Sequence, residues 1–402
     1  MSQATLLDSS LPPVGARKVD ATRGAHNGAV SQQWFGRPDD QRFLDLNSLC
    51  DFLQQRGVGM HEDIVESRDL RIVATPDDPE NLWLEAPDKG SPLAPTNIAF
   101  QQMCSLAGAP YAYLRHKPAI LAGMNLMQDY QSRREVKGQK LYWNEDSREV
   151  RAFTGENYGR ILDVALAESV RKIAGNGTGD TCWKVPGLMN WADSTYNPYV
   201  DVTKETTTLF ASDRDVFLFL VDDTHPVEIG KLPNGDPDLI FRGFYAWNSE
   251  VGTRSLGIAT FWLRAVCANR NLWGVEDFDE LKIRHTRFAP DRFARDAEPA
   301  LISYSKSDPT KLLAGINAAK DTVVAKDEED RLKFLKMFDF SKSQAEKIIA
   351  TSEREEHVLP RTAWDFVNAI TATARSAQNQ DTRLEMEKIG AKIMDRATRG
   401  SI

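Results

Sequence analysis

The chain has 402 residues, a hydrophobic content of 41%, a charged content of 27% and a formal net charge of -8. A chain this long can bury a large core and suggests two or three domains, while the lack of any apolar run near about 18 residues excludes a membrane-spanning helix. A pI near 5.5 and a mean hydropathy of -0.44 exclude a protein coated in positive charge for duplex DNA, though a cleft can still carry a local basic field.

Residues 1–30 are rich in Ser, Ala, Gly and Pro and show no apolar period, so a disordered arm is expected. They lack the basic start and long apolar core of a secretory signal, and a cytoplasmic protein is expected. Order is expected from Trp34 and Phe35. Asp45 is placed to cap a helix whose stripe is Leu46, Leu49, Phe52 and Leu53, with Gly57 as its stop. Strands fit 68–75 and 81–86, joined by a turn over 76–79 that holds two prolines and two aspartates. Asn97 is read as the cap of a helix to about residue 108, and Pro118 opens another, where its missing N–H does no harm.

Residues 140–154 read as a hairpin turning at 144–147, and a helix follows over 161–175. From Thr181 to about Arg287 the pattern is mostly β, with β-branched and aromatic runs at 206–212 and 215–223 and a tight-turn Asn234-Gly235. The segments around 239–247 and 256–269 alternate too weakly for one-sided strands. They fit strands buried on both faces, or a strand running into a helix. After about Asp296 the chain reads as helices, with Ser343 and Thr362 as caps. The fold class is therefore α+β: a central, mainly antiparallel sheet with packed helices, followed by an all-helical C-terminal segment. The expected division is an arm (1–30), an α+β core domain (31–295) and a helical region (296–402).

Most catalytic signatures are missing. Cys50, Cys104, Cys182 and Cys267 lie far apart with no C-x-x-C pair and read as buried free thiols. Cys267, inside an apolar run, reads as inert. The six histidines show no zinc-type spacing, and Asp222-Asp223-x-His225 reads as a polar strand end before Pro226. The glycines of 175–179 follow a helix, the reverse of a phosphate cradle. No cofactor, metal or catalytic residue is expected.

The stretch from Phe241 to Trp273 is the exception. It crowds aromatics, Arg and Asn together, with Gly243, Gly252 and Gly257 inside it and Gly274 just after. Downstream, Lys282, Arg284, Arg287, Arg292 and Arg295, with His285, face one acid, Asp291. Single-stranded nucleic acid is held by cations that follow phosphates and by rings that stack on bases. Arg254, Arg264, Arg270, Arg284 and Arg287 are thus candidate phosphate ligands, and Trp247 and Trp273 candidate stacking faces. Arg254, in a Gly- and Ser-flanked loop, is the one least expected to be structural, with Glu250 as its ion-pair partner. The competing expectation is that the tryptophans fill the core and the arginines pair with Glu276, Asp277, Asp279 and Glu280. Asn248, Ser249 and Glu250 likewise fit a polar turn between strands.

The order Asn248-Ser249-Glu250-x-Gly252, then Arg264-x-Val266-Cys267-x-Asn269, resembles the phage- and plasmid-borne family called domain of unknown function 932. The segments 151–163 and 364–374 resemble that family's R-A-F…Y and N-A-x-T-x-x-A patterns. The resemblance spans about residues 34–396 and implies a mobile-element context, with no established catalytic residue. The expected function is a non-catalytic mobile-element accessory protein that binds single-stranded DNA or RNA, in recombination or replication, as a homo-oligomer. Two other expectations stand beside it: a protein-binding or counter-defence factor, and a hydrolase whose carboxylates converge from distant positions.

Overall fold

The computed structural model describes residues 37–75, 78–132, 138–186, 202–231, 235, 237–264, 269–271, 280–306, 310–374, 376 and 380–402. The expected arm, Trp34, Phe35, Asn234, Cys267 and Trp273 lie outside these residues.

Strand β1 (Arg42–Phe43) leads into α1 (Leu46–Gly57), where the Asp45 carboxylate accepts the Ser48 N–H at 2.8 Å. The buried stripe is Leu46, Leu49, Cys50 and Leu53. Phe52 instead stays 37% exposed, its ring 5.0 Å from that of Phe43. After β2 (Met60–Glu66), the strands β3 (Arg71–Thr75) and β4 (Asp78–Glu85) pair antiparallel. Strand β5 (Ala94–Pro95) precedes α2 (Asn97–Ala107). Thr96, not Asn97, caps this helix by accepting the Ala99 N–H at 3.3 Å; Asn97 already lies in its first turn. Helices α3 (Tyr111–Leu114) and α4 (Ala119–Ser132) follow, then the hairpin of β6 (Gly138–Asn144) and β7 (Glu149–Gly155) and helix α5 (Asp163–Ala174).

The central sheet holds β1 and β8 (Trp183–Lys184), β9 (Leu209–Ala211), β10 (Val216–Lys231), β11 (Pro237–Asn248), β12 (Leu256–Arg264), β13 (Asn269–Asn271) and β14 (Glu280–Ile283). Its order is β1-β9-β10-β11-β12-β13, with β14 also on β12 and β8 on β10, and every pairing is antiparallel. A second sheet has the order β2-β6-β7-β5. Helix α6 (Ala289–Arg292) runs through a π-turn (Phe293–Ala297) into α7 (Glu298–Ser305). The chain then continues as α8 (Thr310–Asp321), α9 (Glu328–Lys336), α10 (Lys342–Glu356), α11 (Ala363–Ala374) and α12 (Gln380–Thr398). Thr362 accepts the Asp365 N–H as expected. The cap of α10 is Ser341, not Ser343, because Ser341 stands three residues before Gln344 and the two close a reciprocal capping box. No helix among the described residues is long and apolar enough to cross a membrane.

Alternation along the central strands explains their weak sequence pattern. Val216, Leu218, Leu220, Phe244, Leu256 and Ile258 join one core with α1, α5 and α7. Phe217, Phe219, Val221, Tyr245 and Phe261 form a second, aromatic core on the opposite face. With both faces buried, neither parity can be polar. A third core joins Ile229, Ile240 and Trp262 to the C-terminal helices, and a fourth packs α2 and α4 on β3, β4 and the second sheet.

Candidate functional site

The two segments 151–163 and 248–252, far apart in sequence, meet at the N-terminus of α5. The residue before that helix, Leu162, offers no side-chain cap. Glu250 supplies one from the β11–β12 loop, its Oε2 accepting the Asp163 N–H at 3.1 Å. Asp163 Oδ1 in return accepts the Glu250 N–H at 3.2 Å and the Asn248 amide at 2.8 Å, while that amide also donates to the Ile161 carbonyl at 2.7 Å. This is a capping box assembled from separate segments. Two guanidiniums close it. Arg151 donates to Glu250 Oε1 at 2.6 Å, and Arg56 of α1 donates to Asp163 Oδ2 at 2.7 Å and lies 3.3 Å from Glu250. The Tyr158 hydroxyl donates to the Ser249 carbonyl at 3.1 Å, and Arg160 donates to that of Glu250.

Asn248, Ser249, Glu250 and Asp163 are all buried. The motif is therefore a buried junction and not an exposed loop, although Gly252 lies at the surface with φ +86, where a side chain would be strained. Burial pushes Asp163 up to about 7, the Glu250 charge adding to the effect and Arg56 and Arg151 opposing it. Burial also raises Glu250, but Arg56 and Arg151 outweigh it, and the carboxyl is held at about 2. Two coupled carboxyls driven apart in this way mark a candidate site.

A cavity of about 290 Å³ opens beside the junction, lined by Arg56, Arg151, Asp146, Glu149, Asp213 and Asn144 among others. Three carboxylate residues, Asp146, Glu149 and Asp213, thus line it, two of them only three residues apart in sequence. None of the residues lining it is His or Cys. Its guanidiniums are already engaged: besides the carboxylates, Arg56 donates to the Ser212 carbonyl at 2.6 Å and Arg151 to that of Asp213 at 3.3 Å. Such groups hold three elements together and form no visible nucleophile–base pair.

The expected cation and ring set divides. Arg254 pairs with Asp215 at 3.6 Å, not with Glu250, and its side chain is 19% exposed. Asp215 also binds the buried Arg37. Burial alone would raise Asp215; Arg37 and Arg254 reverse that and hold the carboxyl below its usual range. Arg254 is therefore a structural residue. Trp247 is half-buried and stacked on Tyr245, with ring centroids 5.4 Å apart. Arg264 and Arg270 lie on the paired strands β12 and β13; their side chains and that of Glu280 are outside what is described, as are all of Trp273, Glu276, Asp277 and Asp279. Arg292 and Arg295 both engage Asp296, at 3.4 and 2.9 Å. His285 stacks on Tyr158 at 4.8 Å, and burial lowers its pKa, which keeps it from carrying charge near neutral pH.

Lys282, Arg284 and Arg287 remain exposed, with no acidic partner among the described residues. Lys282 sits opposite Gly257, and Gly257 opposite Trp247, so these three form one cross-strand row. Arg284 follows just past the end of β14 and is exposed. The Arg287 guanidinium lies 4.9 Å from the ring of Phe288, which is 57% exposed. The residues that sequence reasoning does not assign to a site are Asp163, Arg56 and Arg151 in the junction and Phe288 on the edge; Lys282 is counted in the basic run but not named as a ligand. Arg151 and Asp163 stand at the ends of the segment 151–163 singled out by resemblance, but nothing there marks them as partners of Glu250, and Arg56 carries no local signal.

Among known proteins, no family model matches this chain, and neither a curated protein nor a solved structure matches it.

Proposed function

We propose that this protein binds single-stranded nucleic acid along the outer edge of its central sheet, as a non-catalytic accessory factor. The observation that carries this reading is the row Trp247–Gly257–Lys282, continued by Arg284 and by the exposed Arg287–Phe288 pair. Cations for phosphates and a ring for a base lie close together there, and no acid among the described residues is spent on these cations. A net charge of -8 would otherwise repel a polyanion, so a local patch is what binding requires. The mobile-element setting, the cytoplasmic location and self-assembly belong to the same proposal; the first rests on the motif resemblance alone.

The test is fluorescence anisotropy with a labelled oligothymidylate. Three phosphate contacts on a single strand give a slope of about -2 in log affinity against log salt. Affinity is therefore expected to fall about 20-fold between about 50 and about 200 mM salt. The double charge reversal Arg284→Glu and Arg287→Glu should abolish binding with unfolding unchanged, and Phe288→Ala should cost about 1–3 kcal/mol of binding energy if a base stacks on it. No binding at about 50 mM salt, or equal binding by the charge-reversed variant, would overturn the reading.

A further inference from the structure

Away from that edge, Cys182, Asp222 and His225 each bring one ligating atom within 4.8 Å of the other two. The arrangement follows from a defect in the sheet. Asp222 of β10 lies opposite Trp183 of β8 on one side and Arg242 of β11 on the other, and Cys182 immediately precedes Trp183. Between Asp222 and Val227 the β10–β11 register shifts, so 223–226 leave the ladder. The strand bulges there, and the Thr224 and His225 N–H groups both donate to Asp222 Oδ1, at 3.1 and 3.2 Å. This brings His225 Nδ1 to 3.1 Å from the carboxylate. Bulges of this kind re-aim side chains toward sites.

The structural duties of Asp222 are met without the thiol or the imidazole. Arg242 donates to its Oδ2 from Nε at 2.8 Å and lies 2.7 Å away through a second nitrogen, while Thr224 caps Oδ1 at 3.0 Å. Cys182 and His225 are therefore surplus to the turn, and they are the two side chains that zinc prefers. The His225 side chain is 66% exposed, with Nδ1 within 3.1 Å of Asp222 and 3.0 Å of Thr224 Oγ1, whereas Asp222 is fully buried and held. Tetrahedral ligands at zinc distances lie about 3.5 Å from one another, within a small rotation of this geometry. Arg242 would then be the outer partner that orients a ligating carboxylate.

We propose that Cys182, Asp222 and His225 form a binding site for a divalent cation of the zinc class. The thiol and imidazole select against magnesium and calcium, which take oxygen ligands. On binding, the Cys182 thiol proton passes to solvent as the thiolate–metal bond forms, and the Asp222–His225 hydrogen bond is exchanged for two metal bonds. Three protein ligands leave a fourth position for water or another ligand, the pattern of reactive zinc sites.

The test titrates the full, reduced chain with Zn²⁺ alone by calorimetry and with Co²⁺ by absorption. One equivalent should bind, with a thiolate–cobalt charge-transfer band. Cys182→Ser and His225→Ala, both gentle on the fold, should each weaken Zn²⁺ by at least about 100-fold, beyond the range that outer partners carry. Loss of the cobalt band in Cys182→Ser, with the other cysteines intact, is the specific signature. No stoichiometric binding by the wild type, or binding retained by either variant, would overturn the proposal; retention would place the metal on other groups.

Discussion

Asp163 and Glu250 are two carboxyls in one buried junction with opposite responses to pH. Asp163 holds its proton to about 7 in the fold, against an ordinary value of 3.8. Between those values the folded chain binds more protons than the unfolded one, so stability falls as pH rises through that window. Asp163→Asn is expected to flatten this slope in urea unfolding between about pH 4 and about pH 7; an unchanged slope would mean that another group carries it. Glu250 behaves the other way. Its carboxyl is depressed to about 2, so its contribution is present above the ordinary 4.5 and is lost as pH falls toward the lower value. At this scale sequence reading succeeded where a side chain acts on its immediate neighbours. Asp45 and Thr362 cap the helices they precede. It failed for Arg254, because an arginine's partner is chosen in space: Asp215, brought in at the head of β10, wins over the adjacent Glu250.

The central strands are built as much by their glycines as by their rings. A Cβ on Gly257 would enter the Trp247 indole, and one on Gly243 would enter the Phe261 ring. Each glycine is thus the seat of an aromatic from the neighbouring strand. Gly257→Ala is expected to cost about 1–3 kcal/mol through overpacking and to disturb the Trp247–Tyr245 stack. Denaturant unfolding and near-ultraviolet circular dichroism would measure both; a variant matching the wild type would show that the indole yields freely. The order and type of elements were legible wherever a period was clean, as in the hairpin of β6 and β7 and in α1. Cap positions slipped by one or two residues, Thr96 for Asn97 and Ser341 for Ser343, because neighbouring polar residues compete and only the backbone hydrogen bonds decide between them.

The molecule is tied together where helices from the C-terminal half close on the central sheet. Tyr304 of α7 donates to the Gly243 and Phe261 carbonyls at 3.0 and 3.3 Å, and α8–α12 bury Ile229, Ile240 and Trp262. A chain ended after Ser305 would expose those three residues to water. It is expected to aggregate or bind a hydrophobic dye, and a soluble fragment with a cooperative transition would show the two parts to be independent. From sequence alone came the α+β class, the β-rich middle, the helical end and the basic run that includes Lys282, Arg284 and Arg287, though not its exposure. These depend on periodicity and composition, which are local properties. Only the tertiary structure decided which charges cancel: it spent Arg56, Arg151 and Arg254 on buried acids, joined Glu250 to a helix it does not border, and brought Cys182 to Asp222 and His225. The physical reason is that a charge or ligand acts over a few ångströms of space, and strand pairing sets those distances between residues that the sequence keeps far apart.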